Sequence, residues 1–157
     1  MSKSTRATLA LAKAGTEFEV LSYDYDPDAD KIGIQAAEAL GVSPAIVLKT
    51  LMAEVDGRPV CVVIPSDREV SMKKLAAALG GKSANMMKPA AAEKTTGYVV
   101  GGISPFGQKK QVPTVFESEA MTHDFVFMNG GQRGLQVRLK PEAAVKAASA
   151  MSAPVIA

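Results

Sequence analysis

The chain contains no tryptophan, one cysteine and one histidine in 157 residues, and aromatic side chains make up only 5% of it. A lone Cys61 excludes an internal disulfide. It lies in the apolar run Val60-Cys61-Val62-Val63-Ile64 with no adjacent His or Asn to activate it, which marks a buried, inert thiol. The single His123 adjoins Asp124; neighbours in a strand point apart, so the two make no triad and a surface histidine is expected. Without a Cys/His cluster at ligand spacing, a zinc site is set aside and no metal is expected. Asp24, Asp26, Asp28 and Asp30 alternate, but Pro27 interrupts the pattern and no bidentate Glu follows, so they read as a solvated acidic turn and not as a calcium loop. No apolar run approaches the length of a membrane span, and the amphipathic start lacks the apolar stretch of a signal peptide; the expectation is a cytoplasmic protein with no membrane partner. Neither charge dominates: 18 basic and 16 acidic residues leave a net charge of +2. Any contact with nucleic acid must therefore come from local patches.

What is present suits one ordinary core. At 47% hydrophobic and 157 residues, the chain reads as a single domain over 1–157. Ser4 is expected to cap a helix carrying Ala7, Leu9, Leu11 and Ala14 that Gly15 ends, followed by a strand from Phe18 to Tyr25. A short helix over Ile34 to Leu40 and a turn begun by Ser43-Pro44 lead into a strand from Val47 to Val55. Asp56-Gly57 is a hairpin signal toward Val60 to Ile64, with Pro59 suggesting an edge or bulge. Ser71 caps a helix whose Met72, Leu75, Ala76 and Leu79 form a stripe, and Gly80-Gly81 stops it. Lys88-Pro89-Ala90 opens another helix; strands follow near Tyr98 to Gly101, Pro113 to Phe116, Phe125 to Met128 and Leu135 to Leu139, and Pro141 begins a last helix, Glu142 to Ala150. Hairpins and short links disfavour a regular parallel array, so the fold class is α+β with a mixed, curved sheet.

Two features carry chemistry. Lys49 falls in register with Val47, Leu51, Ala53 and Val55, so it belongs to the apolar set of its strand. Burying an unpartnered ammonium costs far more than burying a methylene. Such a lysine either reaches a cleft and meets an anion or carbonyl, or snorkels to water from an edge or bulge; on the strand alone both readings stand. The second feature is glycine. Seven of 13 glycines (97, 101, 102, 107, 130, 131 and 134) lie between residues 97 and 134. Such a cluster makes sharp turns or a backbone-lined pocket of N–H donors, and the scarcity of Asn and Asp beside it favours the pocket. It matches neither phosphate-loop nor dinucleotide fingerprints.

The run Gly97-Tyr98-Val99-Val100-Gly101-Gly102-Ile103-Ser104-Pro105-Phe106-Gly107-Gln108-Lys109-Lys110, followed by Val112-Pro113-Thr114, resembles the signature of the YbaK/EbsC family of aminoacyl-tRNA deacylases. The likeness extends to Leu48-Lys49-Thr50-Leu51 after Gly41-Val42-Ser43-Pro44, to Asn129-Gly130-Gly131-Gln132-Arg133-Gly134-Leu135, to Tyr23 in its strand, and to the helix Met72 to Leu79. Within the family it is similar to members that act on Cys-tRNA(Pro). The resemblance implies a barrel-like sheet as in the editing domain of prolyl-tRNA synthetase, no cofactor, the acceptor end of aminoacyl-tRNA as substrate, and prolyl-tRNA synthetase as a partner. It implies cleavage assisted by the substrate's own thiol. Lys49, Gly101 and Gly102 take the catalytic roles, and Tyr23, Thr50, Ser104, Pro105, Gly130 and Gly131 the substrate-binding ones. Lys109, Lys110 and Arg133 would meet the phosphates of the tRNA end. Gln111 and Gln132 depart from the basic residues of close relatives, which weakens intrinsic RNA affinity. The alternatives are an Ala-tRNA(Pro) or other deacylase of the same fold, a noncatalytic module binding aminoacyl-tRNA or a synthetase, and a Schiff-base enzyme using Lys49.

Overall fold

The computed structural model describes residues 4–27 and 32–157, and Asp28 and Asp30 of the acidic run lie outside them. In chain order the elements are α1 (Arg6–Lys13), β1 (Glu19–Ser22), α2 (Ile32–Leu40), β2 (Leu48–Val55), β3 (Arg58–Pro65), α3 (Met72–Ala78), β4 (Ala84–Met86), α4 (Pro89–Thr96), β5 (Thr114–Glu117), β6 (Val126–Asn129), β7 (Leu135–Leu139), α5 (Pro141–Ala147) and β8 (Met151–Ala153). Short 3-10 turns at Pro44–Ile46 and Ser118–Thr122 complete them.

Asp56 and Gly57 both adopt positive φ, 50° and 80°, the conformation that lets a two-residue turn follow the twist of its strands. They close the β2–β3 hairpin at the centre of a mixed five-stranded sheet ordered β4-β2-β3-β5-β8. A three-stranded antiparallel sheet, β1-β7-β6, lies beside it. The α+β expectation holds, but the strands form two open sheets and do not close into the expected barrel.

Both faces of the hairpin are covered. Leu48, Met52, Cys61 and Val63 join Phe116, Met128 and Leu139 in the larger core, whereas Ala53, Val55, Val62 and Ile64 pack with Leu75 and Ala76. Pro59 lies in an interior strand, yet β5 meets β3 only from Cys61 onward, so no neighbour asks Pro59 for the N–H that it lacks.

Other expectations shift. Thr5, and not Ser4, caps α1: its hydroxyl accepts from Thr8 N–H at 3.1 Å while Thr8 Oγ1 accepts from Thr5 N–H at 2.8 Å. Leu9, expected inside, is 60% exposed. The first strand shortens to Glu19–Ser22, and Tyr98 to Gly101 forms turns and no strand. Ser71 caps α3 as expected, accepting from Lys74 N–H at 3.2 Å.

The C-terminal segment is tied down by Glu117, which is 3% exposed. Its carboxylate accepts from the N–H groups of Val155 (2.8 Å), Ile156 (3.3 Å) and Glu119 (2.7 Å) and from Ser118 Oγ (3.2 Å). Burial pushes this carboxyl up, but the converging donors outweigh it and hold it below the usual glutamate range. Because the folded pKa is depressed, the stabilisation is complete above about pH 4.3, the unfolded value, and is lost as pH falls through the folded one. Glu117→Gln turns an amide toward donors and should cost about 1.5–3 kcal/mol in denaturant unfolding at pH 7. The gap from wild type should close as pH falls below about 4.

Candidate functional site

β4 pairs with β2 only over Ala53–Val55, and Met87 N–H donates to Met52 O at 3.1 Å just beyond. The other sheet meets this strand at a single parallel bridge, Val47 with Phe127. Between those points one edge of β2 has no strand beside it. Along an antiparallel pair, alternate residues turn their N–H and C=O to opposite sides. Ser66 N–H bonds Val47 O at 2.9 Å, so the odd-numbered residues bond toward β3, and Thr50 turns its N–H and C=O into the gap.

A cavity of about 380 Å³ occupies this gap. Lys49, Thr50 and Leu51 of β2 line it together with Met86, Met87, Gly101, Ile103, Asn129 and Gln136. Lys49 is half-buried in register with Leu51, Ala53 and Val55, and among the described residues no carboxylate lies within 4 Å of it. The start of β2 is fixed by Ser66, whose hydroxyl also donates to Val47 O. A side chain on Gly33 would collide with Ser66, so α2 closes on the cavity only because residue 33 is glycine.

Two neutral polar atoms are left without partners here: Thr50 Oγ1 and Gln136 Oε1. Gln136 is 3% exposed. Its cross-strand neighbour Asn129 is well bonded, donating to Gly101 O at 3.0 Å and accepting from Gly131 N–H (2.7 Å) and Gln132 N–H (3.1 Å). Buried polar atoms are almost always bonded, so orphans facing a cavity are places where a ligand completes the set. Sequence reasoning missed Gln136 because strand alternation groups it with Arg138, away from Leu135, Val137 and Leu139, and so suggests solvent.

The structure brings Lys49, Thr50 and Gly101 together at the cavity; the remaining residues singled out from sequence stand outside it. Gly102 N–H donates to Val99 O at 2.8 Å and Gly130 N–H to Leu135 O at 2.9 Å, so these donors, with that of Gly131, are used within their turns. A Cβ on Gly102 would lie 3.1 Å from Arg133 N, so its glycine lets two loops touch. Ser104 is fully buried, its hydroxyl accepting from Phe106 N–H at 3.1 Å, and Pro105 is buried beside it. Tyr23 packs against the cluster of Ala36, Ala37, Val47 and Phe127; its hydroxyl has no partner, and burial pushes the phenol up. Arg133 reaches the rim, its Nε donating to Val100 O at 2.9 Å and its guanidinium 5.5 Å from the Tyr25 ring. Lys109 and Lys110 are exposed and do not line the cavity.

A second groove of about 730 Å³ runs between Phe18, Phe125 and α5. Its Arg138 stacks on Phe125 at 3.8 Å and lies 3.9 Å from Glu19, so its principal cation is already partnered. The cavity at Thr50 is the better candidate. His123 and Cys61 line neither, and burial pushes the Cys61 thiol to about 12, as an inert core thiol requires.

Residues 26–147, which include this cavity, match the aminoacyl-tRNA editing domain, and the chain belongs to that family. It is 39% identical over 123 residues to the "Putative Cys-tRNA(Pro)/Cys-tRNA(Cys) deacylase EbsC" of Enterococcus faecalis, covering 77% of this chain and 75% of that one. It is 33% identical over 112 residues to a proline--tRNA ligase of Nitratidesulfovibrio vulgaris, covering 69% of this chain and 19% of the ligase. In fold it is similar to a crystal structure of "a putative trans-editing enzyme for prolyl tRNA synthetase", at TM-score 0.85 and 20% identity over 99% of both chains. A hypothetical protein, APE2540, shares the fold at TM-score 0.87 and 23% identity, over 98% of this chain and all of that one.

Neither orphaned atom bonds another group of the protein, so removing them should cost the fold little. Thr50→Val and Gln136→Leu should each change stability by less than about 1 kcal/mol. Denaturant midpoints check this, and the same variants should turn over editing substrates more slowly.

Proposed function

We propose that this protein is an aminoacyl-tRNA deacylase that clears mischarged cysteine from Cys-tRNA(Pro), residues 1–157 acting as one editing domain. The observation that carries the reading is the lining of the cavity. It combines a half-buried lysine, an unpaired strand edge and two orphaned polar atoms, and among the described residues its lining contains no histidine, cysteine or carboxylate. Its other hydroxyl, Ser66, is tied to Val47 O. Such a site suits an ester that supplies its own nucleophile, and the family match and the name of the Enterococcus faecalis relative support the same substrate class.

In this mechanism the cavity holds the aminoacyl ester along the open edge of β2. Thr50 N–H and the Lys49 ammonium face the ester carbonyl, and Thr50 Oγ1 and Gln136 Oε1 receive donors of the amino group or ribose. The cysteinyl sulfur attacks its own carbonyl carbon, a reaction favoured by proximity. A C–S bond forms, the ester C–O bond breaks, the thiol proton ends on the departing ribose oxygen, and the thiolactone is then hydrolysed. Lys49 stabilises the negative charge that develops on the carbonyl oxygen. Met52, Met86 and Met87 give the sulfur a polarisable surround. Lys109, Lys110 and Arg133 meet the phosphates of the acceptor end. Prolyl-tRNA synthetase is the partner whose error is corrected, which sets the work in the cytoplasm. No helix among the described residues is long and apolar enough to cross a membrane.

Loss of labelled Cys-tRNA(Pro) and Ala-tRNA(Pro) is the test, with wild type and Lys49→Ala. The expected result is fast loss of the cysteinyl ester and a decrease of roughly a hundredfold in the variant. Preference for the alanyl ester would transfer the protein to that specificity. Cleavage of neither would refute the deacylase reading in favour of a binding module.

A further inference from the structure

The editing cavity ends at Val100 and Gly101, but the loop that carries them returns to a different surface. Helix α1 seats against both ends of that loop. A Cβ on Gly97 would lie 2.5 Å from Arg6 Nη1 and 3.2 Å from Lys109 Cβ, and one on Gly107 would lie 2.5 Å from Arg6 O and 3.3 Å from Ala10 Cβ. Glycine at 97 and 107 therefore lets the helix dock and puts Arg6 beside Lys109. Arg6, Leu9 and Lys13 share a face of α1 at helical spacing, and with Gln108 and Lys109 they surround a shallow depression. Leu9 stands 60% exposed between the two cations.

The charge on this face is one-sided. Residues 4–16 contain no Asp or Glu, and neither do residues 94–116, although the chain has 16 acids elsewhere. Lys109 joins Arg6 and Lys13 at the depression, and Lys94 and Lys110 lie in the same acid-free segment of sequence. The carboxylate at the near boundary, Glu93, accepts Val100 N–H at 2.8 Å. Among the described residues none of these five cations has a carboxylate within 4 Å. A basic, acid-free surface with free cations is the footprint of a polyanion, and the +2 net charge makes the asymmetry local.

We propose that the face formed by Arg6, Leu9 and Lys13 of α1 with Lys109 is a phosphate track for the duplex next to the acceptor end of the RNA whose terminus enters the cavity. This rests on the editing reading. Gly97 and Val100 are three residues apart, at most about 10 Å of extended chain. An RNA whose single-stranded terminus enters the cavity beside Val100 therefore has its stem directed toward α1, where Arg6 and Lys13 meet the stem phosphates. The track reads no bases; it orients the stem and adds affinity that salt screens.

The test is binding of an uncharged RNA hairpin ending in single-stranded CCA, beside the CCA trinucleotide, across a salt series. Arg6→Glu/Lys13→Glu should weaken hairpin binding on the order of tenfold to a hundredfold at low salt and lower the salt slope by about two. Trinucleotide binding should change less than twofold, and Lys73→Glu, an exposed reversal on α3, should behave as wild type. Unchanged hairpin affinity in the double variant, or equal weakening by Lys73→Glu, would overturn the track. So would loss confined to an acidic peptide or an anionic vesicle, which would assign the face to another partner. Because uncharged RNA needs no turnover, failure of the deacylase reading leaves hairpin binding by wild type intact, and failure of the track leaves cleavage in the cavity intact.

Discussion

The structure depends on a gap in one strand edge. An unpaired edge inside a fold is a liability, because its N–H and C=O groups pair with whatever approaches. Here the gap is short, and its closure is prevented from both sides. Pro89 at the start of α4 ends the run of β4, and Asn129 turns the chain after β6 into its glycine loop. Thr50 is left facing a cavity with backbone and side chain both available. Strand addition by an extended ligand is the natural use of such an edge.

Glycine has more than one task around that gap. Gly101 lines the cavity, while Gly102 allows the 132–133 turn to touch the 101–102 turn and Asn129 ties the two together. Gly97 and Gly107 serve the contact with α1. The cluster thus builds a frame, and the donors it could have offered are mostly spent holding that frame. The unpartnered polar atoms that face the cavity come from β2 and β7. Lys49 gains its position from the same register that places Leu51, Ala53 and Val55 on the hydrophobic face toward α3.

The hairpin at Asp56-Gly57, the Ser71 cap and the anomalous register of Lys49 were legible in the sequence, since each depends on local geometry or strict alternation. Strands β4 and β8 were not, because three residues are too few for a period to show. Tyr98 to Gly101 has the composition of a strand, but Thr96 Oγ1 accepts Tyr98 N–H and the Gly97 cap turns the chain, so local bonding overrode propensity. Gln136 was illegible for a different reason: alternation says which face a residue shares, and only the tertiary fold says that the second face is covered too. The two open sheets in place of a barrel follow from pairings between distant segments, which no local pattern encodes.

The most direct measurement is backbone and side-chain amide NMR of the protein with a nonhydrolysable, amide-linked 3′-cysteinyl adenosine. The account predicts that the largest shifts fall on the Thr50 N–H, the Gly101 N–H and the Gln136 side-chain amide. Largest shifts in the groove between Phe18 and Phe125, with Thr50 unmoved, would contradict it.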